Sequence, residues 1–411
     1  MDALLRRTTG WACSLLLLAA CSEIPTSPSG DITDLPRELS QTERAIVQAN
    51  NSFAFDLLRA VNRDEVGANV FISPLSASMA LGMTMNGAAG TTFDAMRSTL
   101  GFDDLSNEAI NLSYRDLIDL LVGLDPQVNF GIGNSIWYRL GFPVLEPFLA
   151  TTREYFDAEV SEIDFNDPGA ADVINAWVRE ATNGKIQDIV ASPIDPIIVM
   201  FLINAIYFKG TWTYEFDPEE TQDASFHLTD GGSVPVRLMA QENELPYSAT
   251  NEYIAVELPY GGKAFAMTVV LPLGDVSVDS LIAALDHERW EALVAGFEKT
   301  EVHVYLPRFK LEYEKTLNDV LTALGMGIAF TPSADFSRMT PGGGIWIGKV
   351  KQKSFVEVDE EGTEAAAATS VSMVMSAGPS LRADRPFLFA IRERFSGTLL
   401  FLGKLADPPA S

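Results

Sequence analysis

Three histidines, His227, His287 and His303, and two cysteines, Cys13 and Cys21, are the obvious carriers of chemistry in a chain of 411 residues. Their spacing supplies none of the usual kinds. No H-x-x-x-H pair offers metal ligands on one helical face, no G-x-S-x-G elbow presents a nucleophile, and no Walker loop or dinucleotide fingerprint cradles phosphate. "LGMGIAF" at Leu324–Phe330 has a lone G-x-G and lacks the third glycine. An enzyme of this size should set a nucleophile beside a base or gather metal ligands. The sequence therefore speaks against catalysis, and no cofactor and no metal is expected.

A different segment draws attention because it is so featureless. "EEGTEAAAATS", Glu360–Ser370, follows a β-like run and holds almost nothing that can fill a core. Ala and Glu would allow a short helix, and a polar linker is the other plain reading. Extended, however, Thr363, Ala365, Ala367, Thr369, Val371 and Met373 share one face, while Glu364, Ala366, Ala368, Ser370 and Ser372 share the other. The only charge falls on the second face, and no proline from Gly362 to Gly378 removes a donor from a ladder. Such a segment is competent to be a central strand and too small-featured to require it. It can live as a loop and later become a strand.

The flanking elements fit one α+β domain. From Gln41 the chain reads as an amphipathic helix with Ile46, Phe53, Leu57, Leu58 and Val61 near one face. Ser73-Pro74 has the N-cap and first-position residues of a second helix, whose Ser76, Ala77, Ala80 and Gly82 permit close packing. "DPIIVMFLINAIYFKGTWTYEF" is apolar at nearly every position, as in a strand covered on both faces. "EYIAVELPYGGKAFAMTVVLPLG" reads as two strands joined at Gly261-Gly262, "VHVYLPRFKLEYE" as one long strand, and "KVKQKSFVEVDEE" as the strand that leads into the featureless segment.

The amino terminus is a targeting segment. Arg6 and Arg7 precede "WACSLLLLAA", too short to span a bilayer, and "LAAC" at Leu18–Cys21 resembles the bacterial lipobox, in which cleavage leaves a lipidated cysteine. Residues 1–20 are read as a lipoprotein signal peptide, Cys21 as the membrane anchor, and 21–40, rich in Pro, Ser and Asp, as a flexible tether. Two or more acyl chains give stable attachment. The expected location is thus the bacterial cell envelope or cell surface, after export. With Cys13 removed, the mature chain has no partner for an internal disulfide. A formal charge of −27 argues against nucleic acid as a partner.

At this point a resemblance becomes specific. "EEGTEAAAATS" resembles the reactive-loop hinge of the serpin family, and "LRADRPFLFAI", Leu381–Ile391, resembles its carboxy-terminal signature. "NVFISPLSASMALGMTMNGAAGTT", "NSIWY", "NGKIQDIV", "LINAIYFKGTW" and "ALGMGIAF" match in family order and spacing, so the resemblance covers about residues 41–408. It implies three β-sheets with about nine helices and an exposed reactive-centre loop. It also implies an irreversible suicide-substrate inhibitor of serine proteases, and by extension of papain-like cysteine proteases, working as a monomer. The cleaved loop enters as a new central strand between "IIVMFLINAIYF" and "GKVKQKSFVEV". The alternative is a non-inhibitory relative acting as a binding or chaperone-like surface protein.

Residue by residue, the resemblance makes Glu361, Gly362, Thr363, Glu364, Ala365, Ala366, Ala367, Ala368 and Thr369 the hinge, with Thr363 the first inward residue to be buried. Ser73, Ser76 and Asn204 match the "shutter" beneath the central strands, where the usual histidine corresponds to Gln352, which also donates and accepts. Trp212, Arg308 and Glu360 match the "breach" at the insertion end. Counting back from Pro386 places the reactive bond at Met375–Ser376, and counting forward from Gly362 places it at Ser376–Ala377. The first is preferred, because methionine suits the apolar primary pockets of elastase-, chymotrypsin- and subtilisin-like enzymes.

Overall fold

A computed structural model describes residues 30–363 and 378–409. Nine α-helices are present among the described residues, with strands in three sheets. Helix α1 (Gln41–Asp64) starts at a capping box, in which Glu43 N–H donates to Ser40 Oγ and Ser40 N–H donates to Glu43 Oε2, at 3.1 and 2.7 Å. Its expected apolar face, from Ile46 to Val61, is buried. Helix α2 (Pro74–Met85) begins where Ser73-Pro74 predicts, with Ser73 as N-cap. A β-carbon at Gly82 would lie 2.8 Å from the Tyr114 ring, so the close packing read from its small residues is real.

The largest sheet holds nine strands. Its middle is the hairpin Tyr253–Tyr260 and Phe265–Pro272, flanked by Phe387–Glu393 and Leu399–Leu405 on one side and by Ser233–Ala249 and Glu298–Pro307 on the other. Val269, Phe389 and Leu402, on three neighbouring strands, are fully buried. Ser380–Arg382, which re-enters the fold just after the loop region, lies parallel to Glu298–Pro307 at the far edge.

The sheets that bear on function are smaller. Strands β1 (Val128–Arg139), β2 (Ala158–Ile163) and β3 (Met200–Thr211) pair in the order β3-β1-β2. Strands β4 (Phe309–Thr316) and β5 (Lys351–Val358) form an antiparallel pair of their own. Strand β3 is covered on both faces, as its composition predicts: Ile206 and Phe208 join the main core, while Ile203 joins a second cluster with Trp137, Ile174 and Val178.

The run "VHVYLPRFKLEYE", expected as one strand, is two in different sheets. Pairing with Ser233–Ala249 ends at Pro307, Arg308 N–H closes on Arg237 O at 2.8 Å, and Phe309 starts β4. The apolar alternation slips by one residue across the junction, from Val302, Val304 and Leu306 to Phe309 and Leu311, and the slip at Pro307-Arg308 marks the change of sheet.

The stretch 21–40, expected as a flexible tether, is held over its second half. From Asp31 the chain belongs to the main compact unit. Ile32 N–H donates to Gly262 O at 2.6 Å, Asp31 pairs with Lys263 at 2.7 Å, and Leu39 is buried. Burying one leucine contributes about 2 kcal/mol and an N-cap about 1 kcal/mol. A chain beginning at residue 41 should therefore melt roughly 3 °C or more below one beginning at residue 31. Equal melting temperatures would show that these contacts contribute nothing.

Candidate functional site

The segment singled out by sequence begins with a turn. Asp359 N–H donates to Gly362 O at 3.0 Å, and Asp359 Oδ1 accepts from the N–H groups of Glu361 and Gly362 at 3.1 and 3.2 Å. Burial lifts the Asp359 carboxyl above its ordinary range, the two N–H donors oppose this, and the neighbouring Glu360 and Glu361 add to it. Beyond the turn, Gly362–Thr363 forms a two-residue strand, β6, antiparallel to β3, with Gly362 opposite Thr211 and Thr363 opposite Gly210.

Each residue type here has a steric reason. Gly362 has φ +154°, and a β-carbon on it would fall 2.1 Å from Gly210 O. Gly210 in turn leaves room for the Tyr260 ring, which would sit 2.9 Å from a β-carbon there. Tyr260 stacks on Trp212 with centroids 4.4 Å apart and shares a 2.9 Å hydrogen bond between its hydroxyl and Thr363 Oγ1. Thr363 is 4% exposed. The resemblance implied that this residue is buried on insertion; in the intact chain it is buried already.

The three breach residues converge on this turn. Trp212 Nε1–H donates to Asp359 O at 2.9 Å, and its backbone N–H to Glu361 O at 2.7 Å. Glu360 is buried at 3% exposure and accepts from Arg308 Nε at 2.6 Å and from the Thr221 hydroxyl. Phe216 N–H holds the Glu360 carbonyl at 2.8 Å. Thr221 was not foreseen; a lone threonine between acidic residues carries no signal of such a contact.

The four shutter residues also meet. Gln352 on β5 grips the Ser73 backbone twice, accepting from its N–H at 3.2 Å and donating to its C=O at 2.7 Å. Ser73 Oγ donates to Leu400 O at 2.8 Å, and Ser76 Oγ reaches Asn204 O on β3 at 3.5 Å. Asn204 Nδ2 donates to Asn134 Oδ1 at 2.7 Å, and Asn134 Nδ2 to Phe156 O at 2.7 Å. Asn134 is a further member that sequence reading passed over, although "NSIWY" contains it. The amino-terminal end of α2 thus touches both β3 and β5.

Between β3 and β5 there is no ladder among the described residues. On this side β3 is paired at Gly210 and Thr211 among the described residues, and a narrow cleft is lined by Ile206, Phe208, Phe355 and Thr363. Glu364, Ala365, Ala366, Ala367, Ala368 and Thr369, the candidate bond residues Met375, Ser376 and Ala377, and the anchor Cys21 lie outside the described residues. The histidines do not converge: His227 is exposed on a surface strand, His287 opens a helix, and His303 is buried 3.1 Å from Glu242. Among the described residues no group of three or more His, Cys, Asp or Glu is placed to hold a metal ion, and no helix is long and apolar enough to cross a membrane.

Comparison with known proteins gives a consistent result. The family model described as "Serpin (serine protease inhibitor)" matches residues 48–408. Neuroserpin from Gallus gallus is 38% identical over 372 residues, covering 87% of this chain and 89% of its own length. Leukocyte elastase inhibitor from Sus scrofa is 37% identical, covering 88% of this chain and 98% of itself. Among solved structures, human thyroxine-binding globulin complexed with thyroxine superposes with a TM-score of 0.83 at 29% identity, covering 90% of this chain and 100% of that one.

The raised carboxyl of Asp359 yields a test with a definite sign. A carboxyl held above its unfolded value of about 3.9 lets the folded state bind the proton more tightly. Its contribution is present below the unfolded value and lost as pH rises through the folded one. Asp359→Asn keeps an acceptor for the two N–H groups and removes the charge. It should leave stability at pH 7 equal or higher and reduce the pH dependence of melting above the ordinary carboxylate range, whereas Asp359→Ala, with no acceptor, should lower stability at every pH. If Asn and Ala behave alike, the carboxyl oxygen is not holding the turn.

Proposed function

The chain belongs to the serpin family, and from that membership we propose that it is an irreversible inhibitor of serine proteases that acts as a suicide substrate. The observation that carries this reading is the paired Gly362–Thr363 at the open end of β3, followed in sequence by a run of alanines. A protease attacks the loop at Met375–Ser376 and becomes acylated. The freed hinge then continues down the edge of β3 from its existing start, and each new backbone bond adds about 1 kcal/mol net. The acyl-enzyme is dragged with the loop, and distortion of its active site halts deacylation. The native state is accordingly held by a kinetic barrier rather than by being the lowest state.

Several features support the parts of this sequence. Thr363 is already seated, so insertion extends a strand rather than nucleating one. Small side chains at Ala365 and Ala367 present no bulk to the cleft lined by Ile206, Phe208 and Phe355. Methionine at the bond directs the inhibitor to elastase-, chymotrypsin- or subtilisin-like enzymes, and a related mechanism reaches papain-like cysteine proteases. The protein acts as a monomer, held at the bacterial cell envelope through a lipidated Cys21. A non-inhibitory binding role, as thyroxine-binding globulin illustrates by name, is the competing reading.

Incubation with elastase, chymotrypsin, subtilisin and trypsin, followed by denaturing electrophoresis, should give a covalent complex with at least one of the first three. Clean cleavage without any complex across that panel supports the non-inhibitory reading instead. The hinge supplies a second test. Thr363→Arg is a poor probe because it would disrupt the intact state, where Thr363 is buried against Tyr260. Ala367→Arg places the charge where only the inserted state buries it, at a cost of several kcal/mol. Each 1.4 kcal/mol slows insertion about tenfold, so this variant should be cleaved as a substrate. Glu364→Arg, on the opposite face, should raise the inhibitor consumed per protease inactivated far less.

A further inference from the structure

Arg97 and Arg338 are two cations brought to one aromatic ring with no carboxylate to meet them. Helix α3 (Gly90–Thr99) places Phe93 and Arg97 one turn apart, and the guanidinium carbon of Arg97 lies 5.7 Å from the Phe93 ring centroid. Arg338 comes from a distant loop and stands 5.4 Å from the same centroid. That loop is fixed to the start of the helix: Ala89 N–H donates to Asp335 O, and Asp335 N–H to Thr92 Oγ1, both at 2.9 Å. The two guanidinium carbons are therefore no more than about 11 Å apart, close to the Debye length of about 10 Å at 0.1 M salt, and they repel.

In a chain with 56 acidic and 29 basic residues, carboxylates are in excess. Neither arginine nevertheless makes an ion pair among the described residues. The nearest carboxylates in sequence are otherwise placed: Asp335 accepts from Ser337 N–H at 3.0 Å, and Asp94 is exposed on α3. Arg97 Nε is moreover buried with no hydrogen-bond acceptor. A buried charged donor left unmade costs more than a neutral one, and a ring face returns only part of that cost. Two fully solvated cations would call for no ligand; the buried Nε separates this cluster from that case.

We propose that Arg97 and Arg338 form a binding site for a tetrahedral oxyanion of the phosphate or sulfate class, taken as the free ion or as a phosphomonoester. Guanidinium groups suit such anions because their planar, paired N–H donors match two oxygens at once. Arg97 is half-buried and supplies the fixed side of the site, while Arg338 is exposed and closes on the anion from the loop. The bound anion removes the repulsion across the Phe93 ring and ties α3 to the Asp335–Arg338 loop. The site is independent of the inhibitory mechanism, since it lies on neither β3 nor β5 nor the turn at Asp359.

The test follows melting of the protein in rising concentrations of sodium phosphate, sodium sulfate and glycerol phosphate, with sodium chloride holding ionic strength constant. A ligand bound only by the folded state raises the melting temperature with the logarithm of its concentration, by about 3 °C at a hundredfold excess over its dissociation constant. Wild type should show this rise and Arg338→Gln should lose it. Arg338 is exposed, so its replacement leaves the fold intact and the comparison is clean. Arg338→Lys keeps the charge without the paired donors and should retain a smaller rise. A rise with the free ions alone assigns the site to them, and a rise with glycerol phosphate as well admits the monoester. An equal rise in wild type and Arg338→Gln is the general stabilisation that excluded salts give every protein, and it overturns the site. A wild-type protein that melts alike in phosphate, sulfate and chloride overturns it too.

Discussion

Two backbone pairs, Gly362 with Thr211 and Thr363 with Gly210, are the constraint on which the rest of the site depends. They join the end of β5, through the Asp359–Glu361 turn, to the edge of β3, and so bring two sheets that share no other ladder among the described residues to a common apex. Beside that apex lies a narrow cleft lined by Ile206, Phe208, Phe355 and Thr363. An open edge in a protein interior is a liability, since unpaired N–H and C=O groups favour any strand that can reach them. Here the nearest candidate is the chain's own next segment. Gly362 is indispensable to the arrangement, because any β-carbon would overlap the carbonyl of Gly210.

Stability around this apex is assembled from neutral and aromatic contacts more than from charge. Trp212, Tyr260 and Phe216 form a connected aromatic group that carries both the turn and Thr363. The ion pair of Arg308 with Glu360 has a half-exposed cation and a buried carboxylate. Its value lies in satisfying the buried oxygen together with Thr221, because removing a partner from a buried charge costs more than forming an exposed pair returns. At the lower end the link is looser. Ser76 reaches Asn204 only at 3.5 Å, while Gln352 holds Ser73 through two bonds. The side of β5 is therefore fastened to α2 more firmly than the side of β3.

Much of this was legible in the residues. The capped starts of α1 and α2, the doubly covered strand around Asn204 and the hairpin at Gly261-Gly262 all follow from local rules that tertiary packing did not override. The features that escaped are those set by partners far away in sequence. Val302, Val304 and Leu306 alternate in one phase and Phe309 and Leu311 in the other, so the slip at Pro307-Arg308 marks a break, but nothing local says that the two halves join different sheets. Thr363 alternates with its neighbours in the same way whether it is solvated or buried, and only the position of Tyr260 decides which. Asn134 and Thr221 are ordinary polar residues until Asn204 and Glu360 are placed beside them. Residues 31–40 have a linker's composition, yet Ile32 and Leu39 find apolar surface.

A protein that stores a folding step must make the stored state complete enough to persist and incomplete enough to advance. Completeness shows at the apex, where every group of the Asp359–Gly362 turn named above has a partner and Thr363 is sealed from water. Incompleteness shows along β3, where the edge below Gly210 is unpaired among the described residues and Asn204 keeps a buried acceptor without a donor. These two conditions are separated by only six residues of strand, from Gly210 to Asn204. Movement from one to the other requires no new fold. On the proposed insertion mechanism it extends an existing two-residue strand, and every increment would add backbone bonds along the edge of β3. On the proposed mechanism, the barrier to insertion lies in parting β3 from β5 at the level of Ser73 and Ser76, since that is where polar side chains tie both strands to the same helix end.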